Sequence, residues 1–150
     1  MVKISKKLRY ALEAVLDISY NSSTEPTQSR EITYRQGIPQ RYLEQVMQRL
    51  VRAGLLKGVR GPRGGYRLAR ERRRITVGDI ARVVHQAEDN GKVTDNRNSE
   101  LASKVVLPMW KDVEKNIMKE LDSITLDDLC KQGQAQGVVK MVNNKAQFDI

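Results

Sequence analysis

The sequence predicts a mainly α fold: a winged helix-turn-helix with a two-stranded β-wing and a long C-terminal dimerisation helix. Three observations predict it. Two short helical stretches meet at a tight Gly37-Ile38 turn. A glycine-rich hairpin follows them, and after a polar gap comes a long apolar stripe at helical spacing.

The first helix starts after Ser5, a good N-cap, and runs to about Asn21. Leu8, Ala11, Leu12, Val15 and Ile18 recur at helical spacing and mark its buried face. The segment 21–26 has loop composition. A second helix fits Ser29 to Gln36, with Gly37 as its left-handed cap. Pro39 suits the first turn of a third helix, because its missing N–H is not needed there. That helix carries Leu43, Val46, Met47, Leu50 and Val51 on one face and ends at Gly54. Its other face holds Gln40, Arg41, Glu44, Gln45, Gln48, Arg49 and Arg52.

Residues 55–60 and 66–68 read as the two strands of the wing, with 61–65 as its tip. Thr76 and Asp79 resemble a capping box, and Ile80, Ala81 and Val84 form the apolar face of a fourth helix. From about Glu100 a long helix carries Val106, Trp110, Val113, Ile117 and Leu121, with Pro108 either kinking or starting it. Thr125 opens one more capped turn. The expected organisation is a DNA-binding winged domain over 1–85, a loop over 86–99, the dimerisation helix and short last helix over 100–130, and a flexible tail over 131–150.

Charge points to the partner. The chain carries a net +9, unevenly spread. Residues 1–85 hold 18 Lys+Arg against 7 Asp+Glu, a net of +11, while the remainder is slightly negative. A polycationic half binds polyphosphate by releasing condensed counterions. Gln40 and Arg41 fall in the first turn of the third helix, where a recognition helix meets the major groove. Glutamine suits adenine edges and arginine suits guanine. Tyr42 and Gln45 follow on nearly the same face. Gly64 and Gly65 let the backbone approach a phosphate, and Arg60 and Arg63 at the wing tip suit the narrow minor groove. Ser5 and Lys7 add backbone contacts at the start of the first helix. A nucleotide-binding loop is excluded, since no Lys-Ser/Thr follows the glycines.

The chain is not expected to be an enzyme: it has one histidine and no paired His/Cys or Ser/His arrangement. RNA binding is the alternative to duplex DNA. A single Phe and a single Trp offer little of the stacking surface that sequence-specific RNA binders use. One cysteine, Cys130, fits a reducing, cytoplasmic location. No apolar run is long enough for a signal peptide or a membrane span.

Five segments together resemble a known family. They are 5–17, Ile38-Pro-Gln-Arg-Tyr-Leu-Glu-Gln45, Val59-Arg-Gly-Pro-Arg-Gly-Gly-Tyr66, Ile75-Thr-Val-Gly-Asp79 and Ile124-Thr-Leu-Asp-Asp-Leu129. They are similar to the bacterial iron–sulfur cluster regulator family of winged helix-turn-helix transcription factors, the IscR, NsrR, RirA and CymR type, over about residues 1–129. The resemblance implies a homodimeric regulator, a repressor on a pseudo-palindromic operator, responding to an unidentified effector or partner. It implies that Arg41, Tyr42 and Gln45 reach the major groove and Arg60 the minor groove. It also implies that Glu44 discriminates against some bases, by repelling phosphate or by demanding a cytosine amine, and that the helix around Trp110 packs on its twin. Position 41 is often a small hydroxyl residue in relatives, so Arg41 alters the expected site. Cluster-binding relatives place three cysteines ahead of the long helix, and residues 86–105 contain none. The resemblance therefore points to a cluster-free member with no metal site, and Cys130 is its candidate redox residue.

Overall fold

A computed structural model describes residues 4–21, 24–89 and 98–141, with the side chains of 87–89 left out. Six α-helices and one antiparallel hairpin occur among the described residues. Helix α1 spans Lys6–Tyr20, α2 Ser29–Gln36, α3 Gln40–Arg52, α4 Val77–Asp89, α5 Leu107–Asp122 and α6 Leu126–Ala135. Strand β1 is Leu56–Val59 and β2 is Gly65–Leu68, paired in the register Leu56 to Leu68 and Val59 to Gly65.

The helix ends follow local chemistry. The Ser5 Oγ accepts the backbone N–H of Leu8 at 3.2 Å and caps α1. Gly37 closes α2 at φ 68°, a left-handed conformation open to glycine without steric cost. Pro39 sits one residue outside α3 as its N-cap. Two matching capping boxes open α4 and α6: Thr76 with Asp79, and Thr125 with Asp128, each closed by reciprocal 3.0 Å bonds. The two boxes lie side by side, because Val77 N–H donates to the Ile124 carbonyl and Leu126 N–H to the Ile75 carbonyl.

The core forms where α1, α3 and α4 meet over the hairpin. Leu8, Ala11, Val15 and Ile18 of α1 pack with Leu43, Met47 and Leu50 of α3 and Ile80, Ala81 and Val84 of α4. The apolar faces expected for these three helices are thus the buried ones. A buried polar cluster backs α2. Arg35 donates from Nε and Nη2 to both Asp17 oxygens, at 3.0 and 2.7 Å, and Gln36 adds a third bond to Asp17 at 2.7 Å. Glu31 approaches Arg35 at 3.6 Å but leaves its Oε2 without a hydrogen bond.

Burial pushes the Glu31 carboxyl up from its ordinary 4.5, against the pull of Arg35 and with the repulsion of Asp17. The Arg35 guanidinium feels burial too, which opposes its charge, yet the bonds and charge of Asp17 hold it above its ordinary value. The sign for Glu31 follows. Its folded-state pKa is raised, so the folded chain disfavours the ionised form. That penalty is absent below 4.5, grows as the pH rises and is complete above the folded value. Glu31→Gln is therefore expected to raise the melting temperature by a few degrees at pH 7, as expected for removing roughly 1 kcal/mol of penalty. The gain shrinks toward zero below 4.5. Melting curves at pH 4 and pH 7 check it, and an equal shift at both pH values contradicts it.

Two expectations change at the C-terminal side, and one open alternative is decided. Helix α4 continues through residues 86–89, which were assigned to the loop; the rest of that loop, 90–97, lies outside the described residues. Of the two alternatives left open for Pro108, starting the long helix is the one that fails, because Pro108 lies inside the helical stretch. Helical structure begins at Glu100, and residues Ala102–Val106 form a π-helical segment in which Leu107 N–H donates to the Ala102 carbonyl. Proline lacks an N–H and its ring crowds the carbonyl four residues back, so the wider turn ahead of Pro108 accommodates it. Finally, α6 runs on to Ala135 rather than ending near Cys130. Gly133 reads as a helix breaker, but here it lets α6 approach Tyr20: a Cβ at that position would lie 2.9 Å from the Tyr20 ring. The chain beyond is also tied down. Tyr20 donates its hydroxyl to the Val138 carbonyl, and Met141 N–H donates to Asn21 Oδ1 at 2.8 Å. Residues 142–150 of the expected tail lie outside the described residues.

Candidate nucleic-acid interface

Helix α3 presents its polar face to solvent. Its buried residues Leu43, Val46, Met47 and Leu50 fix the helix against α1 and α4, so Gln40, Arg41, Glu44 and Gln45 must point outward, and all four are exposed. Tyr42 is 48% exposed, with its ring against Tyr10 of α1 at 6.0 Å between centroids and 41° between planes. Lys7, Tyr42 and Gln45 line one shallow cleft with Tyr10, Val46 and Arg49. The fold thus brings together a residue from the start of α1 and two from the reading face of α3. Ser5 is exposed next to them as the α1 cap, and no acidic residue neutralises that helix start.

The wing is held by more than its own two strands. Thr27 forms an isolated bridge with Tyr66: Thr27 N–H donates to the Tyr66 carbonyl at 3.0 Å, and Tyr66 N–H to the Thr27 carbonyl at 2.8 Å. The chain entering α2 therefore anchors β2. Gly65 makes this possible, since a Cβ there would lie 2.4 Å from the Thr27 carbonyl oxygen. At the tip, Gly64 donates its N–H to the Gly61 carbonyl at 2.9 Å, and a Cβ on Gly64 would meet the Val59 carbonyl oxygen at 2.2 Å. Arg60 and Arg63 stand exposed on this tight loop. They are not part of the cleft that Lys7 and Gln45 share.

The expected dimer stripe divides. Val106, Trp110 and Ile117 are exposed, as are Leu101, Val105, Leu107 and Met109 alongside them. Val113 is half-buried. Leu121, with Met118, instead packs on the chain's own core. The last turns of α5 lie against α4, where Arg82 pairs with Asp122, so the end of the stripe already has a partner within the chain.

Cys130 is buried at 1% exposure, with its Sγ 3.3 Å from Ser19 Oγ. That contact seats it in the packing of α6 on α1. No group of three or more His, Cys, Asp or Glu could hold a metal among the described residues. A cluster is ordinarily held by several thiolates. This chain's donor set is one enclosed thiol, which does not fit such a group.

Sequence reasoning missed two features. One is the Asp17–Arg35–Glu31–Gln36 cluster, although an acid between Ala14, Val15 and Ile18 on the apolar face of α1 was a visible sign of it. The other is the set of bonds made by Gln40. Its Oε1 accepts from Thr33 Oγ1 at 2.9 Å, and its Nε2 donates to Ser29 Oγ at 3.2 Å and to Glu44 Oε1 at 3.1 Å. No periodicity announces bonds across a turn.

Residues 4–132 match the model of a family described as Rrf2, iron-dependent transcriptional regulator. The chain belongs to the Rrf2 family. It is 36% identical over 134 residues to the HTH-type transcriptional regulator IscR of Vibrio atlanticus (strain LGP32), covering 89% of this chain and 78% of that protein. Among solved structures it is similar to IscR of T. potens, with a TM-score of 0.71 at 36% identity over 93% of this chain and 94% of that one. It is also similar to CymR, the global cysteine regulator of B. subtilis, with a TM-score of 0.68 at 34% identity over 88% and 98%. This Rrf2 protein is accordingly a DNA-binding transcriptional regulator and not an enzyme, with the winged-helix fold expected from its sequence. No helix among its described residues is long and apolar enough to cross a membrane.

Proposed function

We propose that this Rrf2 regulator is a cytoplasmic homodimeric repressor that reads a pseudo-palindromic operator and holds no iron–sulfur cluster. The observation that carries the reading is the outward face of α3, where Arg41, Tyr42, Glu44 and Gln45 are exposed together beside the basic start of α1. Arg41 and Gln45 have the donor geometry for base edges in the major groove. Lys6 and Lys7 at the α1 terminus suit phosphates, and Arg60 and Arg63 on the wing tip suit the minor groove. The exposed Val106, Trp110 and Ile117 support pairing with a second copy, which would cover their apolar side chains. A twofold pair places two α3 helices on half-sites one helical turn or a multiple apart. The lack of thiolate donors supports regulation by something other than a bound cluster.

Selection of binding sites from a random duplex pool at two salt concentrations tests this. The expected result is one enriched pseudo-palindrome. On that site Gln45→Ala loses roughly 1–3 kcal/mol at one base position and relaxes the preference there. Lys7→Ala weakens all duplexes about equally and flattens the salt dependence. No enrichment at either salt, or equal losses for both variants on every duplex, removes the base-reading assignment.

A further inference from the structure

The amide of Gln40 is fully engaged within the protein. Both of its N–H groups donate, one to Ser29 and one to Glu44, and its oxygen accepts from Thr33. The chemistry fixes which way the amide faces. A carboxylate can only accept, so nitrogen must face Glu44, and oxygen then faces the Thr33 hydroxyl, which can donate. Gln40 therefore has no N–H left to read an adenine edge unless it abandons these bonds. Its effect is instead on Glu44, four residues on and on the same helix face. Glu44 is a long acidic side chain on a surface that meets phosphates, where an unrestrained carboxylate swings away. The Gln40 bond holds one carboxylate oxygen, Oε1, of an exposed side chain.

We infer that Gln40, locked by Ser29 and Thr33 of α2, is a positioning residue that orients Glu44 as the specificity-determining acceptor for a cytosine amino group. The inference rests on the reading of α3 as the helix that enters the major groove and on the base discrimination that the family resemblance implies for Glu44. A fixed carboxylate accepts from the cytosine N4 amine and opposes the acceptor edges of guanine and thymine. Its orientation is set before binding, so less freedom is lost when the base arrives. Helix α2 thereby influences base choice without touching a base, through the exposed hydrogen bond that the Thr33 hydroxyl donates to Gln40.

The test uses the full chain in the same duplex selection, with Gln40→Ala, Thr33→Val, Glu44→Ala and the Gln40→Ala/Glu44→Ala pair. Affinities are then measured on operators altered one base pair at a time. Glu44→Ala is expected to lose preference at a single position of the half-site. Gln40→Ala and Thr33→Val lose about tenfold in discrimination at that same position. The double variant behaves as Glu44→Ala alone, because a positioning residue has no effect once its target is gone. A change of preference at a different base pair in Gln40→Ala overturns the inference, since Gln40 would then read a base itself. Additive losses in the double variant overturn it as well, as does an unaltered profile in Thr33→Val. Thr33→Val is close to isosteric, so it carries the test if Gln40→Ala melts early. A wild-type chain that enriches no sequence overturns both the inference and the base-reading role of α3. Enrichment with any of the first three contrary results overturns the inference alone.

Discussion

Arg35→Met is expected to be the most destabilising single change in the DNA-binding half, at about 3–5 kcal/mol. The side chains of Arg35 and Asp17 are 4% and 0% exposed, and the pair is bidentate. Removing the guanidinium leaves two carboxylates, Asp17 and Glu31, in one buried site with no cation between them. Gln36 alone cannot satisfy both Asp17 oxygens. At roughly 2–4 °C per kcal/mol for a chain of this size, the melting temperature falls by about 10 °C. The loss reaches function because the pair ties α2 to α1, and α2 supports the start of α3. The companion variant Asp17→Asn/Arg35→Met separates two causes. If an unpaired buried charge is the damage, the double variant recovers part of the loss, since removing both charges of a buried pair is often far milder than removing one. Thermal melts by circular dichroism read both. A single variant that melts within two degrees of the wild type sinks the account.

That cluster also shows what a sequence reveals and what it hides. Periodicity located α1, α3 and α4 and their buried faces, because burying one apolar stripe is a local property of each segment. The caps at Ser5 and Thr76 and the left-handed Gly37 were legible for the same reason: each is satisfied within a few residues. The outward face of α3 followed directly from its inward one. Long-range pairings were not legible. Arg35 meets Asp17 across 18 positions, and Thr27 meets Tyr66 across 39, at spacings set by how helices and hairpin pack. The expected tail from residue 131 failed for a related reason, at Gly133. Locally it weakens a helix, whereas its value lies in a contact with Tyr20 that only the folded chain creates. Leu121 shows the same limit: it continues the stripe of Trp110 and Ile117, yet it is half-buried against the chain's own core.

Gly65→Ala is expected to cripple DNA binding while leaving most of the fold intact. The added methyl would lie 2.4 Å from the Thr27 carbonyl oxygen and 2.7 Å from its carbon, both backbone atoms that no rotamer change can move. Either β2 or the chain leading into α2 must shift, and the two bonds of the Thr27–Tyr66 bridge are the first to lengthen. Overpacking of this kind costs about 1–3 kcal/mol, and β2 touches the core of α1, α3 and α4 only through the partly buried Tyr66 and Leu68. The larger consequence is geometric. The bridge ties the wing to the chain entering α2, so displacing it moves Arg60 and Arg63 relative to α3, and on the proposed reading takes them out of the minor groove. Affinity for the selected operator is expected to fall at least about tenfold, or ~1.4 kcal/mol, with a melting temperature lowered by only a few degrees. Gly58→Ala is the control: it lies on β1 of the same hairpin, and a Cβ there meets nothing within 4 Å. Fluorescence anisotropy on the operator separates the two. Loss in Gly65→Ala with near-wild-type binding in Gly58→Ala identifies the α2 attachment as what aims the wing. Wild-type affinity in Gly65→Ala means the wing finds its groove independently of that bridge, and the bridge is then only a fold contact.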